Sequence, residues 1–355
     1  MCLLRHFKGL FQTHILITFV KRIKMKHISV LVPSGNSIVD TIIAPYNLLN
    51  MAISYSMQLS KSHKKPFKID LVGLSLEPVL YQGLFSVQPT ATIDTIEKTD
   101  LIIISPISGD LVLEVQQNIE FVHWIKEQRI KNGTELASLC KGTFLLAETG
   151  LLNGKSCTTH WTAHDLFKQR YPKVNLIPEK IICEDNGIYS SGGAYSILNF
   201  TLYLIERYFG RETAIWCSKI AEIDFDRKSQ SEFIIFNGQK DHSDTAIHKA
   251  QEYIENNFKN KLSVEQIADV VNLGSRSFLR RFKKATFNTP LEYIRRVKVE
   301  AAKKQLESTA KSILEVMYFI GYNDEKAFRS TFRRYSGLSP KEYQKKYNRE
   351  MAFAS

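Results

Sequence analysis

The sequence is poor in cysteine. Its five cysteines (Cys2, Cys140, Cys157, Cys183 and Cys217) are odd in number and widely spaced among 355 residues, and no pair has metal-ligand spacing. This argues against a cysteine-based metal module, and free thiols fit a reducing, cytoplasmic setting. No long proline/glycine or acidic tract is present, which argues against a low-complexity chain. Long apolar runs are also lacking. The strongest candidate, "FQTHILITFV" near the N-terminus, is too short and too polar to span a bilayer. It lacks a small-residue cleavage site as well, so a secretory signal and a membrane partner are not expected. Nothing in the residue pattern calls for a metal or a cofactor.

What is present is a globular composition, 44% hydrophobic and 11% aromatic. A chain of 355 residues is expected to hold two or more domains, because single cores stop growing near about 250–300 residues. The net charge of +12 is uneven. From residue 246 onward there are 22 Lys/Arg against 12 Asp/Glu, an excess of ten; the preceding 245 residues carry 26 against 24. Such an asymmetry points to a polyanion partner for the last third alone, most simply nucleic acid.

Along the chain, residues 1–26 read as an unstructured extension, with Met25 as the expected true start, because "KHISVLVPSG" reads as a first strand and turn. From 27 to 225 buried strands alternate with helices. "HISVLVP", "FKIDLVGLS", "DLIIIS" and "ELASL" are strands, and "VLEVQQNIEFVHWIKEQRIKNG" is a single amphipathic helix stopped at Gly133. "KIICED" and "GIYSS" form a hairpin across Asn186-Gly187. The alternation predicts an α/β sandwich with a mostly parallel sheet. Residues 226–245 are polar and irregular and read as a linker; 349–355 read as a tail.

Residues 246–348 are all helical and contain a repeat. Phe278 pairs with Phe328, Phe282 with Phe332, Pro290 with Pro340 and Tyr293 with Tyr343, each at a spacing of 50. Two helix–turn–helix units of about 25 residues joined by a central helix are expected. Ser263 and Gln266 have capping-box spacing. In the second helix of each unit the phenylalanines face inward at i, i+4. Arg276 and Arg280, from a helix starting near Ser275, itself an expected DNA contact, lie on the opposite stripe, as do Lys326, Arg329 and Ser330 in the second copy. Arginine on such a helix can pair bidentately with guanine in a major groove. Lys283, Lys284, Arg333 and Arg334 follow and suit phosphate contacts.

These residues resemble the AraC/XylS family of transcriptional regulators, through "IA" followed by "SFLRRFKK" and then "SILEVMYFIGYNDEKAFRSTFRRYSGLSPKEY". The resemblance implies major-groove entry by both second helices and base contact at Arg276, Arg280, Lys326, Arg329 and Ser330. Ser330 stands where that family often has Arg, and Leu279 at a position that often contacts bases.

The remaining signal is "ELASLCKGTFLLAETG", a strand meeting a cysteine and then a helix. Together with "VLVPSGNSIVDTIIAP" and "YSSGGAYSILNFTLYLIERYFG", it is similar to the PfpI superfamily, whose fold is flavodoxin-like and class I glutamine amidotransferase-like, in its GlxA-like regulator branch. The resemblance places Asp40 and His160 beside the Cys140 elbow. Lys141 and Gly142 would present N–H groups there, and Gly192 and Gly193 would form a second wall. Asp40 alternatively caps its helix. Trp161, Cys157 and Cys183 read as packing, and His164 and Asp165 as solvated helix residues. Two departures weigh against catalysis: Lys141 stands where protease-like members have His, and Ile107-Ser108 where they have Gly-Gly. Three readings of Cys140 therefore stand, as a pocket element, a packed thiol, or a catalyst or redox switch.

The expected whole is a non-enzymatic, cytoplasmic, sequence-specific DNA-binding transcriptional regulator whose α/β domain senses a small metabolite. The rival is a cysteine-dependent hydrolase, hydratase or deglycase with a DNA-binding module. Expected partners are double-stranded promoter DNA, a small-molecule effector of unknown class and a second copy of the chain, with the transcription machinery a further candidate.

Overall fold

The structure, a computed structural model, describes residues 26–61, 63–225, 227 and 229–348. The expected extension, its Met25 start, Cys2 and the tail from 349 lie outside the described residues.

The first half is an α/β sandwich. β1 (Lys26–Leu31) leads to α1 (Asp40–Leu59), with Pro45 inside its second turn, and then to β2 (Phe67–Gly73). A small hairpin of β3 (Val79–Tyr81) and β4 (Phe85–Val87) and the short β5 (Ala91–Thr92) follow. β6 (Leu101–Ile104) precedes α2 (Leu111–Gln117) and α3 (Ile119–Asn132). β7 (Glu135–Ser138) runs through a tight turn at Cys140–Gly142 into α4 (Thr143–Glu148). β8 (Ser156–Cys157), α5 (His164–Arg170), β9 (Asn175–Leu176), β10 (Ile182–Asp185) and β11 (Ile188–Ser191) lead to α6 (Ser196–Phe209) and α7 (Arg211–Ile220).

The main sheet has the order β10-β11-β7-β6-β1-β2-β5, parallel except for the β10–β11 hairpin. That hairpin turns on Asn186 (φ 52°) and Gly187 (φ 73°), the left-handed pair that matches strand twist. Alternation along β1 sends Ile28 and Val30 to a core under α1, α6 and α7, and Leu31 to the opposite core under α2 to α5.

Two expectations needed correction. The long amphipathic helix is broken at Asn118. This buried side chain accepts from Ser34 N–H (2.8 Å) and donates to Ser34 C=O (3.0 Å) and Glu114 C=O (2.8 Å), pinning the loop after β1. His164, expected in solvent, is buried. Its Nε2 faces Thr159 C=O at 3.2 Å, and burial pushes its pKa down to about 4.

The second half is helical: α8 (Thr245–Asn257), α9 (Val264–Val270), α10 (Ser275–Thr286), α11 (Pro290–Ser308), α12 (Ile313–Phe319), α13 (Glu325–Ser336) and α14 (Pro340–Tyr347). It has two small cores. Ile247, Ile254, Ile267, Phe278, Phe282 and Tyr293 form one; Val316, Met317, Phe328, Phe332 and Tyr343 belong to the other. α11 serves both, giving Tyr293 and Ile294 to the first and Val299, Ala302 and Leu306 to the second. The repeat is carried in detail: edge-on rings lie 5.4 Å apart for Phe282/Tyr293 and 5.5 Å apart for Phe332/Tyr343. Capping boxes Ser263/Gln266, Thr289/Glu292, Ser312/Glu315 and Ser339/Glu342 start the helices between which the units are laid out.

Candidate nucleic-acid interface and elbow site

α10 and α13 each bury two rings and leave the opposite stripe in water. Arg276, Arg280, Lys283 and Lys284 are exposed on α10, with Ser275 half-buried at its first position. Lys326, Arg329, Ser330, Arg333 and Arg334 are exposed on α13. The reason is local: Phe278 and Phe282, like Phe328 and Phe332, are fully buried one turn apart, so residues two positions away from them must point outward. Arg329 is held by Glu325 of the same helix (Nε–Oε1 2.7 Å), so it would have to share or leave that carboxylate to touch another group. Arg281, half-buried at the side of α10, pairs with Asp244 at 2.7 and 2.9 Å, tying α10 to the cap of α8. Leu279 is 40% exposed on the same side of α10.

The elbow is built from the β7–α4 turn. Cys140 has φ 53°, a left-handed conformation that non-glycine residues adopt at a cost of about 1–3 kcal/mol and that needs support from the surroundings. The support is visible. Cys140 C=O accepts from Thr159 Oγ1 (2.8 Å) and Thr143 Oγ1 (3.0 Å), and Cys140 N–H donates to Ser191 Oγ (3.3 Å). Gly142 is required by space, since a Cβ there would meet the carbonyls of Ile104 and Ser105.

Cys140 is buried, 3% exposed, and burial pushes its thiol pKa up; N–H groups of Ala194 and Lys141 and the Lys141 charge oppose this without overcoming it. The N–H groups and the positive charge at this helix start are thus outweighed by desolvation. His160 Nδ1 accepts from Thr162 N–H (3.1 Å) and lies 2.8 Å from Thr162 Oγ1, leaving the ring proton on Nε2. Burial and the Lys141 charge push its pKa down to about 4. Its ring packs against Gly193, where a Cβ would collide with it, and lies 5.7 Å from the Trp161 ring.

Asp40 is exposed at the first position of α1. Val39 is the cap residue, and Asp40 makes no cap hydrogen bond; its carboxylate accepts from Tyr195 Oη at 3.5 Å. No hydrogen bond joins Asp40 to Cys140 among the described residues. The two are related through the turn after β11, in which Ala194 (φ 50°) addresses the sulfur and Tyr195 addresses the carboxylate. In the "SPISG" loop the left-handed residue is Gly109 (φ 87°), and Ile107 is buried. Two surface cavities lie elsewhere: one of about 570 Å³ beside His27 and Asp70, another of about 460 Å³ between Phe236, Phe258 and Phe319.

The sequence reading missed four residues here: Thr143, Thr159, Ser191 and Gln230. Gln230, assigned to a polar linker, is only 2% exposed and lies against Gly192. Single polar residues at a helix start, at a strand end or in a loop carry no periodic signal that could expose them.

Residues 30–207 match the DJ-1/PfpI family, and residues 267–346 match a helix-turn-helix domain. The chain belongs to the DJ-1/PfpI family. It is similar to the HTH-type transcriptional regulator GbdR of Pseudomonas aeruginosa, at 26% identity over 259 residues, 72% of this chain and 69% of that protein. A crystal structure of a protein from Vibrio parahaemolyticus, assigned as a transcriptional regulator, superposes with TM-score 0.50 and 26% identity, covering 56% of this chain and 99% of that one. The isonitrile hydratase of Pseudomonas putida is 29% identical over 149 residues, 41% of this chain and 62% of that enzyme. This DJ-1/PfpI chain is therefore a transcriptional regulator that joins an AraC-type helix–turn–helix region to a flavodoxin-like α/β domain. No helix among the described residues is long and apolar enough to cross a membrane.

Proposed function

We propose that residues 27–225 sense a small molecule at the Cys140 elbow and that residues 246–348 bind promoter DNA in the cytoplasm, as a homodimer, with residues 226–245 between them. The observation that carries the DNA reading is the exposed basic stripe that recurs at a spacing of 50 on α10 and α13, opposite two buried phenylalanines in each. Arg276 and Arg280 read bases from the first unit; Lys326, Arg329 and Ser330 read from the second. Lys283, Lys284, Arg333 and Arg334 take phosphates. Asp40, Lys141, Gly142, Gly192 and Gly193 surround the effector with Cys140 and His160. Occupancy shifts the domain arrangement and so how the DNA-binding domains of the two copies meet their half-sites.

The elbow is read as a sensor because its thiol is held neutral, its histidine is neutral, and the acid nearest in sequence pattern is turned to Tyr195. Selection of duplexes from a random pool by the full chain tests the DNA half: enrichment of two motif segments about one helical turn apart is expected, and no enrichment would refute it. A thermal-shift panel of amino acids, amines, aldehydes and isocyanides tests the sensing half.

The similarity to isonitrile hydratase favours one second reading, a cysteine-dependent enzyme tethered to DNA. Consumption of an isocyanide by the wild-type chain and not by Cys140→Ala would establish it.

A further inference from the structure

We propose that Gln230 is the residue that couples the elbow to the DNA-binding region, by tying the Thr158–His160 segment to a short strap, residues 229–236, that is fastened to the second helix–turn–helix unit. The inference rests on the reading above, in which the elbow senses and the helical repeat binds DNA.

One end of the strap belongs to the sheet domain. Ser229 bridges to Lys180, and Gln230 N–H donates to Glu179 C=O at 2.9 Å. The Gln230 side chain then turns inward. Its Nε2 faces four acceptors: Pro178 C=O (2.9 Å), Thr159 C=O (3.0 Å), Lys180 C=O (3.2 Å) and Thr158 Oγ1 (3.3 Å). An uncharged amide nitrogen with two protons suits such a cluster of acceptors. Thr159 is the residue whose hydroxyl clamps the Cys140 carbonyl, and it precedes His160. The Gln230 Oε1 atom is buried, has no hydrogen-bond partner among the described residues, and lies 3.1 Å from where a Cβ on Gly192 would stand. A linker side chain thus touches the elbow segment with its nitrogen and the Gly192 turn with an unused acceptor.

The other end belongs to the helical half, and begins at the next residue. A Cβ on Gly337, which ends α13, would lie 3.2 Å from Ser231 Cβ. Glu232 pairs with Lys346 of α14 at 2.8 Å. Ile234 C=O accepts from the buried Lys303 of α11 at 2.7 Å, and Phe236 N–H donates to Glu300 at 3.2 Å. A chain spans at most about 3.3–3.6 Å per residue, so no slack lies between Gln230 and Ser231. Displacement of Gln230 by an ångström or two must either carry Ser231–Ile234 with it or break their contacts with α11, α13 and α14.

The test is a double-mutant cycle in the full chain, with no effector needed. Gly193→Ala perturbs the elbow from within, because the added Cβ collides with the His160 ring. Two readouts are taken: affinity for a duplex selected from a random pool by the wild-type chain, and hydrogen exchange of the amides of residues 231–236. With Gln230 present, Gly193→Ala is expected to change DNA affinity threefold or more and to speed strap exchange about tenfold. In the Gln230→Ala background, Gly193→Ala should leave both unchanged. Equal effects of Gly193→Ala in both backgrounds would overturn the proposal. Should Gly193→Ala not fold, His160→Ala replaces it in the same cycle, with the same two outcomes. If the wild-type chain selects no duplex, the regulator reading fails separately, and the exchange readout still decides the coupling.

Discussion

The His160 ring rests against the backbone of Gly193, so closely that a single added carbon would collide with it. The backbone of Gly193 is not left-handed, so glycine is needed here for space and not for φ. We expect Gly193→Ala to cost about 1–3 kcal/mol, as overpacking does. His160→Ala should restore much of that loss. Urea denaturation of the two single variants and the double variant measures the coupling; additive losses would contradict the contact.

Both His160 and His164 titrate near 4, well below the ordinary value of 6.5. Their neutral forms are favoured by the fold, so stability is fully present above pH about 6.5. As pH falls toward 4 the unfolded chain takes up protons that the folded chain refuses, and stability is lost across that window. For the better buried His164 the loss is of the order of 3 kcal/mol. His164→Gln should flatten this part of the profile, measured as melting temperature against pH from 8 to 4.

The Cys140 thiol is buried and its pKa is raised. Alkylation needs the exposed thiolate. In the native chain at pH 7.5, iodoacetamide should modify Cys140 at least about tenfold more slowly than a free cysteine, and at the free rate in urea. Mass spectrometry of the labelled peptide decides; rapid native labelling would point to an activated nucleophile.

Arg280 and Lys284 are exposed on α10 in different positions and should fail differently. Arg280→Ala should cost about 1–3 kcal/mol of binding and relax sequence preference at one base position. Lys284→Ala should weaken binding to all duplexes and lower the slope of log affinity against log salt by about 1. Gel shifts at several salt concentrations distinguish the two.

Phe282 and Phe332 are fully buried in separate cores. Each truncation to Ala should cost about 3–5 kcal/mol. Loss of hydrogen-exchange protection should begin in the unit that carries the change and spread through α11, which both cores share.

Much of this is legible in the sequence alone. The repeat at a spacing of 50, the inward phenylalanines and the outward arginines follow from helical periodicity, which is a local property. The strands β1 and β6 are legible because their β-branched and leucine runs leave few alternatives. The Asn118 break was not legible, because its cause is a partner, Ser34, that lies 84 residues away. The burial of His164 was hidden for the same reason: its helix looks polar until Thr159 and the neighbouring core are in place.

By itself the sequence determined that an α/β sandwich precedes two helix–turn–helix units and that the excess positive charge belongs to the second half. These depend on local pattern, composition and order along the chain. Only the tertiary structure decided the state of the elbow, because desolvation depends on every atom packed around Cys140 and His160. It also decided that Asp40 turns to Tyr195, and that Gln230, one polar residue in a polar stretch, is buried beneath the elbow while its neighbour Ser231 lies against the DNA-binding region.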